Sequence, residues 1–288
     1  MKRYTSFLFR SSMTTPSLAI ISILFVGCGE TLNYGPDTPD AGILTSDGKA
    51  SPTPDSKPST SDGGTVENPV SNIPQLSNAL TPNCFGWPQN EFSPKNKALI
   101  KANLAVGSTA VDFTLKDRQG QEHTLSKLLA EKPVLLFLGS FTCPYYNGAK
   151  VVPHVNSLAS RAYGNGSFAD QIHFVHVYTI EAHPMTPDPS PYFGKVKEAE
   201  QSFKRQATTY AQRVTDAADI ESQLEGDQLL LVDDLDLAQN NNPVWCTYGT
   251  VPSGAYLIQQ DGTIEAVHDW WDEPTMQQSM EIMLNAAN

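Results

Sequence analysis
An α/β fold with a central mixed β-sheet flanked by helices is predicted by three features of this 288-residue chain. Residues 134–138, 172–180 and 229–232 are apolar stretches of strand length, separated by segments of helical pattern. The first is an unbroken apolar run, as a strand covered on both faces requires. Residues 256–258 and 263–267 flank QQDG, whose Asp-Gly pair is a strong hairpin signal. Finally, the first strand runs through Gly139 and Ser140 into Cys143-Pro144. Pro144 lacks a backbone donor and suits a first helical turn, so Cys143 is expected at or just before a helix N-terminus. Unpaired N–H groups there favour thiolate over thiol, which marks Cys143 as a candidate nucleophile.

In chain order, residues 93–104 read as a short leading helix and 111–115 as a strand. A turn at KDRQGQ follows, then a short helical segment over 125–129. The helix after Cys143 is expected to reach about residue 162, kinked at Pro153. The second strand, IHFVHVYTI, is rich in β-branched and aromatic residues. The loop EAHPMTPDPSP is too proline-rich for a helix, and 193–223 reads as a long, mostly polar helix. After the third strand come Asp233, Asp234 and Asp236, for which helix capping is expected rather than Ca²⁺, since no twelve-residue EF-hand loop surrounds them. Residues 274–287 close the chain as a helix. The alternation of strands and helices, with a cysteine at the first strand-to-helix junction, fits a thioredoxin-like arrangement. That arrangement places a cis-proline against the cysteine, at the position of Pro252.

The two ends differ in kind. Lys2, Arg3 and Arg10 precede an apolar stretch over 18–26, the pattern of an export signal. Gly27-Cys28 resembles a bacterial lipoprotein processing site, with Phe25 where leucine is commoner. Residues 1–28 are therefore expected to be a signal peptide ending at a lipidated Cys28. Acyl chains contribute about 0.8 kcal/mol per buried CH₂, which anchors the protein to a membrane of the bacterial cell envelope. Residues 29–81, crowded with Pro, Ser, Thr, Asp and Gly, are expected to be a disordered tether. Residues 82–288, about 200, suffice for one domain. The formal net charge of -12 argues against nucleic acid as a partner.

There are four cysteines: Cys28, Cys84, Cys143 and Cys246. With Cys28 lipidated, three remain in an oxidising compartment, which permits one disulfide and one free thiol. Cys84 with Cys246 is the expected pair; Cys246 as resolving partner of Cys143 is the alternative. The segment Cys143-Pro144-Tyr145-Tyr146 lacks the second thiol of a Cys-x-x-Cys motif, so the chemistry must rely on one thiol and an external thiol reductant. No metal or cofactor is expected.

LGSFTCPYY, HVYTIEAHP and the stretch from LLLVDDLDLAQNN through TYGTVPSGAYLI together resemble the iodothyronine deiodinases and their bacterial relatives. The resemblance spans about residue 106 to the C-terminus. It implies Cys143 as nucleophile in reductive dehalogenation, with His183 of the Glu-Ala-His segment as proton donor or hydrogen-bond partner. Imidazole titrates near neutrality and can supply the proton that replaces a departing halogen. Glu181 either orients His183 or begins the loop. Thr142 is a candidate hydrogen-bond partner near the sulfur. Tyr145 and Tyr146 are candidates to line the pocket of a halogenated aromatic substrate, with Pro252 beside them. His173 and His176 are expected to pack within their strand, and Trp270 and Trp271 to close a core. Two departures from the family stand out: cysteine replaces the selenocysteine of animal enzymes, and Phe141 stands where many relatives carry an auxiliary cysteine. A thiol peroxidase is the competing reading. Ser140 and Cys143 have the Ser-x-x-Cys spacing of peroxiredoxins, but Leu136 replaces their upstream proline. A non-catalytic binding lipoprotein is the third.

Overall fold
The computed structural model describes residues 73–81, 84, 101–185, 187–192, 204–236 and 240–286. The signal and lipidation site at Cys28, the helix expected over 93–100 and the first part of the one expected from 193 lie outside them.

The chain enters with β1 (Thr114–Asp117) and β2 (Glu122–Thr124), α1 (Leu125–Glu131) and β3 (Val134–Gly139). A short π turn, Tyr145–Ala149, leads into α2 (Val151–Ser160). The small hairpin of β4 (Ala162–Tyr163) and β5 (Gly166–Ser167) precedes α3 (Phe168–Gln171), β6 (His173–Tyr178), α4 (Tyr210–Glu221) and β7 (Leu229–Val232). A second pair, β8 (Leu235–Asp236) and β9 (Asn240–Asn241), leads to α5 (Pro243–Tyr248). The chain closes with β10 (Ser253–Ile258), β11 (Ile264–His268) and α6 (Glu273–Ala286).

Seven strands form one mixed sheet in the order β11-β10-β3-β6-β7-β1-β2. β3, β6 and β7 run parallel; β10 is antiparallel to β3, and β1 to β7. Every residue of β3 is buried, because its two faces feed separate cores. Leu135 and Phe137 join residues of α2, α3, α4 and α6. Val134, Leu136 and Leu138 join Leu125 and Leu129 of α1. This is the thioredoxin-like α/β arrangement expected from the order of elements.

Several expectations change in detail. Pro153 sits in the first turn of α2, where a missing N–H does no harm, so it does not kink the helix; the break falls earlier, at Lys150. In the described part of the expected polar helix, residues 204–209 are not helical and α4 starts at Tyr210, capped by the Thr209 hydroxyl. Residues 101–104, expected to end the leading helix, are not helical.

Residues 73–81, expected to belong to the disordered tether, make contacts with the domain. Ser77 bridges Val111, and the Ser77 carbonyl accepts the Asp112 N–H at 2.7 Å. Leu76 and Leu80 pack on the core that includes Leu125, Leu129 and Tyr248, and the Thr81 N–H donates to the Thr247 hydroxyl at 2.8 Å. Two leucines with backbone partners suffice to order residues 73–81. A disulfide between Cys84 and Cys246 fastens this strap to α5.

Candidate functional site around Cys143
Gly139 ends β3 between Ser253 of β10 and Tyr178 of β6. The loop that follows carries Ser140, Phe141, Thr142 and Cys143, and Pro144 opens the π turn. Pro252 is buried and immediately precedes β10, at the same end of the sheet. Cys143 is a free thiol, 2% exposed.

The loop after β6 is tied to this segment by three hydrogen bonds, and a fourth, from Tyr178 at the end of β6, holds Glu181 within its own loop. The Glu181 carboxylate accepts the Thr142 N–H at 2.9 Å and the Tyr178 hydroxyl. The Thr142 hydroxyl accepts the His183 N–H at 2.8 Å, and the Ser140 hydroxyl accepts the Ala182 N–H at 3.1 Å. Thr142, Glu181 and His183, distant in sequence, are thus brought together beside Cys143. The two Glu181 carboxylate oxygens accept one bond each, from the Tyr178 hydroxyl and the Thr142 N–H. Glu181 serves as a buried brace. Burial raises its affinity for a proton, opposed by those two donors. The half-buried His183 ring faces Tyr192, with centroids 6.4 Å apart.

Gln206 completes the brace. Its amide oxygen accepts the Glu181 N–H at 3.0 Å, and its amide N–H donates to the Glu181 carbonyl at 2.7 Å. Gln206 also lines a cleft of about 800 Å³ with Lys204, Thr208 and Asp216. Neither Cys143, Tyr145 nor Pro252 lines that cleft. Nothing in the sequence marks Gln206. Tyr178, three residues before Glu181 in YTIE, has only its placement at a strand end to recommend it.

Two expectations about this site are corrected. The Cys143 thiol is pushed up to about 11 by burial, with the Glu181 charge adding to the effect; the backbone N–H groups of Tyr145 and Tyr146 offset only part of it. Desolvation outweighs the helix-start contribution because the turn is five residues long and its dipole small. The resting sulfur is therefore a thiol. Alkylation of Cys143 is expected to quicken about tenfold per pH unit from pH 7 to 10, tracking the thiolate fraction. A plateau near pH 7 in mass-spectrometric alkylation kinetics would contradict a raised thiol.

The second correction concerns Tyr146, which is fully buried: its ring lies over Gly139 and its hydroxyl meets His176, leaving no face for a ligand. Tyr145 is half-buried, with its hydroxyl on the Trp271 carbonyl at 2.7 Å and its ring edge-on to Trp270. Trp271 closes the core against Phe137, whereas Trp270 is 46% exposed. His176 packs in its strand, and His173 meets Glu131 at 3.3 Å. Asp233 caps α5, accepting the Val244 and Trp245 N–H groups. Among the described residues no cluster of His, Cys, Asp or Glu has metal-site geometry, and no helix is long and apolar enough to cross a membrane.

No protein-family model matches the chain, and no curated protein matches it. Solved structures do. The lipoprotein thioredoxin Etrx1 of Streptococcus pneumoniae aligns at 18% identity and TM-score 0.36, over 60% of this chain and 99% of that one. Peroxidoxin BcpB of Mycobacterium tuberculosis aligns at 20% identity and TM-score 0.38, over 65% and 99%. A thiol:disulfide interchange protein from Bacteroides sp. aligns at 17% identity and TM-score 0.40, over 63% and 91%. At these values the likenesses concern the fold and assign no activity.

Proposed function
We propose that this chain is a thiol-dependent oxidoreductase in which Cys143 is the reacting sulfur, acting in reductive dehalogenation of an aromatic substrate. The observation that carries the reading is the joining of a free Cys143 segment at the end of β3 to the Glu181–His183 loop through Thr142 and Ser140. With Cys84 and Cys246 bonded to each other and Cys28 carrying the lipid, the reaction has one protein thiol and needs an external reductant.

The steps balance as follows. Cys143–SH and an aryl iodide give the sulfenyl iodide and the dehalogenated arene: the C–I bond breaks, an S–I bond forms, sulfur loses two electrons and the aryl carbon gains them. The thiol proton ends on that carbon, with His183 as the group that carries it. Two molecules of external thiol then return Cys143–SH, releasing a disulfide, iodide and a proton. The substrate approaches along Tyr145 and Trp270, the half-buried and exposed aromatic side chains of this region. The protein acts at the bacterial cell envelope, held there by a lipid on Cys28.

The test is to supply an iodinated phenol or hydrogen peroxide in parallel, each with dithiothreitol, and to follow iodide release and peroxide consumption. Iodide release is the expected result. Peroxide consumption without iodide would replace this reading with a thiol peroxidase, in which Cys143–SH and peroxide give the sulfenic acid and water.

A further inference from the structure
Beneath the Cys143 segment a line of four polar side chains crosses the core. The Tyr146 hydroxyl meets His176 Nδ1 at 2.8 Å, and His176 Nε2 meets Gln228 Oε1 at 2.9 Å. Gln228 Nε2 donates to Asn156 Oδ1 at 2.7 Å and to the Glu225 carbonyl at 2.8 Å. Asn156 is oriented in turn, because its Nδ2 donates to the Gln223 carbonyl and its Oδ1 accepts the Glu225 N–H.

These backbone partners fix every direction in the line. Gln228 must offer oxygen to His176, so Nε2 carries the proton and Nδ1 is the acceptor. Tyr146 therefore donates. Burial pushes His176 down to about 4, which keeps the ring neutral and Nδ1 free to accept. The ring has no freedom to turn, being stacked on Phe137 with centroids 4.7 Å apart. At the other end, a Cβ on Gly139 would fall 2.2–2.4 Å from atoms of the Tyr146 ring, so only glycine lets that ring settle on β3. The Tyr146 N–H in turn donates to the Cys143 carbonyl at 3.1 Å.

We infer that His176 is a positioning residue: by accepting the Tyr146 hydroxyl it holds Tyr146 over Gly139 and so keeps the turn that starts at Cys143 closed over a buried thiol. Opening this latch exposes the sulfur to substrate. The consequence for turnover rests on Cys143 being the reacting sulfur, but the latch itself is read on the thiol alone.

In the full chain, Tyr146→Phe keeps the ring and removes the hydroxyl. Alkylation of Cys143 by iodoacetamide, followed on its own peptide by mass spectrometry, is expected to quicken about 2- to 10-fold, the range that one net hydrogen bond supplies. His176→Leu should give a similar increase, and the double variant no more than either single one. Gln228→Ala, which removes the acceptor of His176 Nε2 at a half-buried position, should shift the rate in the same direction.

An unchanged rate in Tyr146→Phe, or effects that add in the double variant, would overturn the latch. So would an acceleration equal to that of wild type brought by urea to the same global stability, since the hydrogen bond would then serve only the core. Faster alkylation with no iodide release from wild type keeps the latch and removes only the dehalogenase reading.

Discussion

Cys143→Ala is expected to abolish thiol-dependent release of iodide from an iodinated phenol, while the fold persists. The substitution removes only a sulfur from the end of β3, and alanine fits its space with a small cavity. Circular dichroism and the urea midpoint should change little, which separates lost chemistry from lost structure. His183→Ala is expected to lower turnover by about 10²–10⁴-fold, the usual contribution of general acid–base catalysis. Because its backbone N–H supplies the bond to Thr142, the loop stays tied when the ring is removed. Alkylation of Cys143 should stay near wild type in this variant if the ring moves a proton in turnover, and fall if the ring activates the sulfur. Turnover undiminished in Cys143→Ala would place the chemistry elsewhere.

The sheet was legible because its three central strands are apolar enough to require cover on both faces, and the Asp-Gly turn sets the hairpin next to β3. Cys143 was legible for the same reason: Gly139 and Pro144 bracket it at a strand end. Its electrostatics were not. A short turn was visible in the sequence, but the burial that outweighs it comes from packing among distant residues. Tyr146 shows the same limit. Tyrosine beside a candidate nucleophile suggests a ligand contact, and only the pairing of Gly139 with Tyr178 and the position of His176 reveal that its ring is needed in the core. The helix α5 leaves no periodic signal because PVWCTY is short, and it is capped by an aspartate eleven residues away in sequence from Val244. Residues 73–81 read as tether by composition, yet Leu76 and Leu80 carry enough apolar surface to dock.

That capping aspartate carries the other large expected effect. Asp233 is fully buried, and burial pushes its carboxyl up to about 6, against the pull of the Arg213 charge and three backbone N–H groups. Two of those N–H groups, from Val244 and Trp245, open α5, and the third is that of Asp234. Arg213, 1% exposed, donates to the Asp233 and Asp234 carbonyls, both at 3.1 Å. Removing the Asp233 carboxylate leaves three backbone N–H groups without their acceptor, two of them buried at the start of α5, and takes away the charge that faces Arg213 through space; at about 1–3 kcal/mol for each buried group left unsatisfied, the loss comes to about 3–5 kcal/mol. Asp233→Ala is therefore expected to destabilise the protein by about that amount, read as a fall in the urea midpoint. Asp233→Asn retains one oxygen for the α5 N–H groups and should lose less. The damage should centre on α5, where Cys246 holds the disulfide to Cys84, so that reduction of this bond by dithiothreitol quickens in Asp233→Ala. An unchanged midpoint would mean that the Arg213 charge finds its compensation elsewhere, and that α5 is held by the disulfide and its packing alone.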